Sequence, residues 1–295
     1  MEWFYIALLS PALFAIVNII DDNLLRNVYR SPFFGAIISG FFALLPLLGL
    51  FFFPLTISSP TIIFLGLLAG FLTVISYLFY FHALDVESPS VVIALFSLSP
   101  AFVPFLAYFI LDESLTSSQY IGFVLILLAS FTISAINIKR FKFSKALYFM
   151  IFAALLYTLV AICGKYVYNA LDFWSGYMYF SMGMGLGAVF LSVFFREGRR
   201  FLGEFNKSFK KWILVFISAE LIGIAAEFTN NLAISKGPVS LVKVIEGIQP
   251  IYVLLFALVF YPLFPKYLRE AAYGSKQKKL LAMIVILLGL YFINK

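Results

Sequence analysis

The sequence predicts an all-α membrane protein of ten transmembrane helices, arranged as two inverted five-helix repeats. Three observations predict it. Ten apolar stretches follow one another with short connections, each close to the ~20 residues a helix needs to cross hydrocarbon. The chain is 63% hydrophobic and only 12% charged, with a mean hydropathy of +1.02. A soluble domain carries about 25% charge and has no core large enough to hide so much Phe and Leu. The third observation is that the chain repeats itself. Ala83 to Ala107 (ALDVESPSVVIALFSLSPAFVPFLA) aligns with Ala233 to Ala257 (AISKGPVSLVKVIEGIQPIYVLLFA) at an offset of 150, so that Ser90 meets Ser240, Val92 meets Val242 and Pro100 meets Pro250. Farther on, LILLASFTI from Leu125 meets VILLGLYFI from Val285 at an offset of 160, which implies an insertion near Pro262 to Tyr273. A repeat holding an odd number of spans must sit upside down relative to its copy, and inverted repeats allow two halves to open alternately to either side.

The ten spans fall at residues 3–24, 32–53, 61–84, 89–111, 117–137, 145–168, 173–195, 211–235, 238–261 and 277–294. The repeats are therefore 3–137 and 145–294. Consecutive spans form antiparallel hairpins. No run of ten residues alternates apolar with polar, which excludes a β-barrel. The first span lacks a basic leader and begins with Glu2, so it reads as a retained span and not a cleaved signal. Cys163 is the one cysteine, which rules out an internal disulfide and a cysteine metal site and leaves a small packing residue. The net charge of +7 does not point to nucleic acid, because the cations lie between apolar spans, where they set topology and meet headgroups.

Those cations are lopsided. The connections after spans 1, 5, 7 and 9 hold 17 Lys and Arg residues, against Lys165, Lys236 and Lys295 on the other side, with Lys243 inside a span. The positive-inside rule then places the basic connections in the cytoplasm and both termini outside. The connection REGRRFLGEFNKSFKKW mixes basic and aromatic residues, as either an interfacial helix or a solvated basic loop would. Its Asn206-Lys207-Ser208 sequon falls on the cytoplasmic side by the same count.

The mid-span prolines of spans 4 and 9, and the run Leu111-Asp112-Glu113-Ser114-Leu115 followed by Gln119 and Gly122, resemble the EamA-type drug/metabolite transporters. The resemblance covers both repeats. It implies a ten-helix carrier in the cell membrane, a multi-pass protein whose central cavity is lined mainly by spans 1, 3, 4, 6, 8 and 9. Members of that family move small molecules such as amino acids, nucleobases or drugs, and many are exporters. Two features depart from the family pattern. The second repeat has no acidic counterpart to Glu113, and ten-span members usually keep both termini in the cytoplasm, opposite to the loop charges here.

A carboxylate at the centre of a span costs about 2.5–3.5 kcal/mol on insertion scales, so each one calls for an explanation. Span 8 carries Glu220, Glu227, Asn230 and Asn231; span 9 carries Lys243, Glu246 and Gln249. Glu220 and Glu227 share a helical face about 10 Å apart, as do Glu227 with Asn231, and Lys243 with Glu246 and Gln249. Spans 8 and 9 turn near Lys236-Gly237, which puts Glu227 level with Glu246 and Asn230 level with Lys243. Two carboxylates around one ammonium need another positive charge, either a proton or a cationic part of the substrate. The competing reading is a Lys243–Glu246 pair that only ties helices together.

At the 150 offset Glu227 meets Tyr77 and Asn230 meets Tyr80, so the first repeat offers an aromatic wall, able to stack on a ring or hold an ammonium, opposite a charged one. Core packing is the alternative for each Tyr alone. Asn18 lies inside span 1, while Asp21 and Asp22 read as solvated caps, His82 as interfacial and Lys165 as snorkelling to water. Pro100 and Pro250 are the expected hinges. Gly66 and Gly70, like Gly183 and Gly187, read as close-packing faces.

No phosphate loop, His pair, clustered Asp metal site or nucleophile elbow accompanies these residues, so the expectation is no enzyme, no cofactor and no metal. The function expected is a secondary active carrier of small molecules. The partners are the substrate, protons as a coupling ion, and membrane lipids, with the chain a monomer or homodimer. The alternatives are a non-transporting scaffold or receptor and a nucleotide-sugar-like exchanger.

Overall fold

The computed structural model describes residues 2–29, 31–87, 92, 95, 96, 99–135, 145–200, 208–260 and 276–295. Among them every regular element is helical. Helix α1 is Glu2–Leu24, continued by a π-helical turn over Leu25–Tyr29. Helix α2 is Pro32–Phe42, followed by a 3₁₀ segment, Leu45–Phe51. Helix α3 is Pro60–Val86. A 3₁₀ turn, Ser99–Phe102, leads into α4, Val103–Leu111, and then comes α5, Ser117–Ala135. The later part of the chain holds α6 (Lys145–Ala170), α7 (Phe173–Phe194), α8 (Ser208–Lys236), α9 (Val239–Glu246), α10 (Gln249–Phe260) and α11 (Lys276–Asn294).

The helix boundaries follow local chemistry. Pro32 and Pro60 open α2 and α3 at the first turn, where a missing N–H costs nothing. Ser59 caps α3 by accepting from the Ile62 N–H, and Asp172 caps α7 by accepting from the Ser175 N–H at 3.0 Å. Asp112 ends α4 in the left-handed region (φ 53°), which a short polar side chain tolerates.

Seven helices among the described residues are long and apolar enough to cross a membrane: Glu2–Asp21, Pro32–Phe51, Pro60–Val86, Lys145–Ala170, Phe173–Phe194, Ile213–Lys236 and Val239–Phe256. Spans 4, 5 and 10 of the sequence correspond to shorter apolar helices, Pro100–Leu111, Ser117–Thr132 and Leu280–Asn294. Large apolar side chains stay exposed around the outside, among them Phe64, Phe105, Leu186, Leu281 and Leu287, as lipid contact requires. The insertion near Pro262 to Tyr273 and most of the basic connection after Arg200 lie outside the described residues.

Helix α3 packs along α6 and α7, α1 along α8, and α5 along α11. The α3–α7 contact is a contact between backbones. A Cβ added at Gly70 would collide with the Phe180 carbonyl, and one at Gly183 with the Leu67 carbonyl. Small residues let the two helices approach where lipid offers no hydrophobic driving force between them. One end of the bundle is tied across the sequence. The Glu113 carboxylate accepts from the backbone N–H groups of Val239 (2.7 Å) and Ser240 (2.9 Å), at the N-terminus of α9, where the helix dipole favours an anion. The Thr56 hydroxyl donates to Asp172, and Lys236 pairs with Glu2.

Candidate functional site

The centre of the bundle encloses a cleft with about 920 Å³ of space, part of it open to solvent. Its walls come from α1, α2, α3, α6, α7, α8 and the start of α10, with Glu246 from the end of α9. Of the expected site residues, Tyr77, Tyr80, Glu220, Glu227, Glu246 and Gln249 line it. Lys243 instead faces a smaller neighbouring pocket beside Pro100 and Gly247. Asn231 stands behind Glu227: its amide donates to the Glu227 backbone carbonyl at 2.9 Å, and the Tyr168 hydroxyl donates to its Oδ1 at 2.8 Å.

Glu227 is 6% exposed. Its Oε1 accepts from the Tyr77 hydroxyl at 2.5 Å and from the Tyr157 hydroxyl at 2.9 Å. No ion pair reaches Glu227 among the described residues, so neutral phenols hold a carboxylate beside the cavity. Lys243 is paired with Glu246 at 2.6 Å, both nearly buried, and its ammonium lies 4.8 Å from the centre of the Tyr157 ring. Tyr157 therefore joins the two carboxylates, with its hydroxyl on Glu227 and its face toward the cation bound to Glu246. The sequence reading left Tyr77 and Tyr80 open between stacking on a ring, holding an ammonium and packing in the core. In the structure Tyr77 acts through its hydroxyl, and the ring that faces a cation belongs to Tyr157.

Tyr80 is not beside Glu227. Its hydroxyl lies 3.0 Å from both Asn18 Oδ1 and Asp21 Oδ2. Asp21 is 5% exposed, which corrects the expectation of a solvated cap. The physical reason is the π-helical turn: the chain stays wound through Tyr29, so Asp21 lies inside the helical run and faces the cleft. Helix α1 consequently contributes an acid of its own to the wall. Glu220, 7% exposed, accepts from the Tyr29 hydroxyl at 2.6 Å and the Ser39 hydroxyl at 3.2 Å. Tyr29, Ser39 and Tyr157 were not singled out from the sequence, because Tyr and Ser are common in spans. The one available signal was an acid in each neighbouring apolar stretch in want of a donor.

The remaining expectations divide. Lys165 is partly exposed, and its ammonium donates to the Ile234 carbonyl at 3.0 Å, in the last turn of α8, where a cation meets unpaired carbonyls. His82 is half-buried, stacked on Phe149 and edge-on to Phe33. Cys163 packs against the core. Pro100 lies in the 3₁₀ turn before α4, and Pro250 in the first turn of α10, just after the break at Gly247-Ile248 that separates it from α9. The breaks approach each other: a Cβ on Gly247 would stand 3.5 Å from the Pro100 ring. No group of three or more His, Cys, Asp or Glu among the described residues is placed to hold a metal ion.

A helical bundle around a buried, carboxylate-bearing cleft defines the class of the chain, and comparison with known proteins agrees. The sequence model of the EamA-like transporter family matches residues 1–135 of the chain. No curated protein matches the sequence. A solved structure described only as "Crystal structure of protein" superposes over 100% of this chain and 98% of its own, with a TM-score of 0.72 at 15% identity. At that identity the likeness is one of fold.

Proposed function

We propose that the chain is a secondary active carrier that exports small molecules across the cell membrane by alternating access, coupled to protons. Ten spans form two inverted five-helix repeats, 3–137 and 145–294. The three shorter apolar helices complete the count with the seven long ones. Helix pairing supports the inversion. The α1–α8 contact and the α3–α6 contact exchange under the repeat, as do α1 with α10 and α6 with α4.

The observation that carries the proposal is the cleft itself. It is built from both halves of the chain and holds Glu227 and Glu246 away from lipid. Asp21, Tyr80 and Glu220 extend it toward the basic connections, while Glu113, Lys236 and Asp172 tie the opposite end. If the basic side is cytoplasmic, this is the state that loads from the cytoplasm. The test is counterflow in proteoliposomes. Full-length protein, loaded with one solute class at a time from amino acids, nucleobases, amines and sugar nucleotides, should accumulate labelled solute of one class, and net flux of that class, measured separately, should acidify or alkalinise the lumen. Exclusion of every class by a stably folded preparation would leave the scaffold reading in its place.

A further inference from the structure

We propose that the cleft is a two-ended receptor for a linear aliphatic diamine, with one ammonium held by Asp21 and Glu220 and the other by Glu227 and Glu246. Movement of the ligand rests on the carrier reading above; the binding site does not.

Each end holds at least one cleft-facing carboxylate that makes no ion pair among the described residues. At one end Asp21 and Glu220 both line the cleft. Their protein partners there are neutral hydroxyls, those of Tyr80, Tyr29 and Ser39, and neither carboxylate makes an ion pair among the described residues. At the other end Lys243 answers Glu246 but not Glu227. Beside them the side chain of Gln249, 4% exposed, has an amide nitrogen with no hydrogen-bond partner. That amide can turn by half a revolution and offer its oxygen to an ammonium.

The stretch between the ends is apolar and open. Glu220 and Glu227 are seven residues apart on α8, ~10 Å along its axis. Gly223 lies between them, and a Cβ added there would meet nothing within 4 Å. Val17, Ile224 and Met184 also line the cleft. Two anionic ends about 10 Å apart across a hydrocarbon-lined gap fit two ammonium groups on an alkyl chain. A compact divalent metal does not fit, because no described cluster of three or more ligating side chains is placed to hold one. Charge balance agrees: a dication plus Lys243 offsets three of the four carboxylates, leaving one to carry a single proton.

The test uses purified full-length protein in detergent, titrated calorimetrically with cadaverine, pentylamine and magnesium chloride at matched ionic strength. Cadaverine should bind about tenfold or more tighter than pentylamine, since its second ammonium gains charge-assisted hydrogen bonds. Glu220→Gln should bring cadaverine down to the level of pentylamine. Gly223→Leu keeps all four carboxylates and fills the gap, and it should weaken cadaverine by at least about tenfold as well. Equal affinity for the two amines overturns the proposal, as do cadaverine binding untouched by both substitutions and displacement of cadaverine by equimolar magnesium. In proteoliposomes the two readings separate. Cadaverine bound but not moved sinks the carrier and keeps the receptor. Proton-driven flux of another solute class with cadaverine ignored keeps the carrier and sinks the diamine site.

Discussion

Tyr77 donates a hydrogen bond to Glu227 across 2.5 Å, and the two residues are 150 positions apart in the chain. That separation equals the offset of the sequence repeat, which on the inverted-repeat reading gives them equivalent places in the two halves. Equivalent positions in an approximate two-fold arrangement touch only near its axis. On the inverted-repeat reading, the axis runs beside the cleft, and the hydrogen bond joins the halves where they move relative to each other.

Glu227→Gln and Glu246→Gln preserve shape and remove titration. Each should abolish proton-driven flux while sparing much of substrate exchange, which needs no net proton movement. The pair should behave as one titrating unit. Flux measured with and without an imposed pH gradient checks this, and normal proton-driven flux in both variants would end the proposal.

Lys243→Met tests the competing tether. It strands Glu246 in a buried place, and breaking such a pair by removing one partner costs about 3–5 kcal/mol. The loss should be largely recovered in Lys243→Met/Glu246→Gln. A thermal-melting cycle of the four proteins reads the coupling; additive melting shifts would show that the pair is not a unit.

Pro100→Ala and Pro250→Ala should slow transport more than they weaken substrate binding, because each proline lies where its span is broken. Turnover and affinity measured on the same preparation separate the two effects. Unchanged turnover in both variants removes the breaks from the cycle.

Asp172 lies outside the membrane-spanning segments. Burial alone would raise its carboxyl, but hydrogen bonds from Ser175, Thr56 and the Trp174 backbone outweigh that and hold it below the ordinary 3.8. A carboxyl depressed in the folded state stabilises fully above its unfolded value and ceases to do so as pH falls through the native one. Asp172→Ala should therefore cost about 1 kcal/mol at neutral pH as a lost helix cap. The melting difference from the parent should shrink as pH drops below that ordinary value. A difference constant down to low pH would show that the cap does not act as a carboxylate.

The loop charges predict external termini. A phosphatase reporter fused after Lys295 should be active and a cytoplasmic fluorescent reporter dark; the reverse pair restores the usual family orientation.

The sequence revealed some elements of the site and hid others for physical reasons. The nearness of Glu227 and Glu246 could be read because a tight turn at Lys236-Gly237 makes depth a matter of counting along two rigid helices. The break before α10 was legible in Pro250, and the close α3–α7 contact in glycines four apart. Asp21 was misjudged because a π-helical turn has no composition of its own and shifts where a helix ends. Tyr157 and Tyr29 were invisible because their roles depend on which neighbour lies across the cleft, and that is settled by packing between distant spans.

On the inverted-repeat, alternating-access reading, Gly70 and Glu220 also occupy equivalent positions, and they differ in kind. At Gly70 nothing but backbone lies between α3 and α7. In the opposite half of a cycle, α8 would have to close in the same way on α2, with Glu220 at the join. An unoccupied carrier making that move would trap an unneutralised carboxylate between helices, while one bearing a cation or proton would not. A single side chain would then act as a ratchet against slippage: the protein would be reluctant to return empty, and little of the driving gradient would leak away without moving cargo.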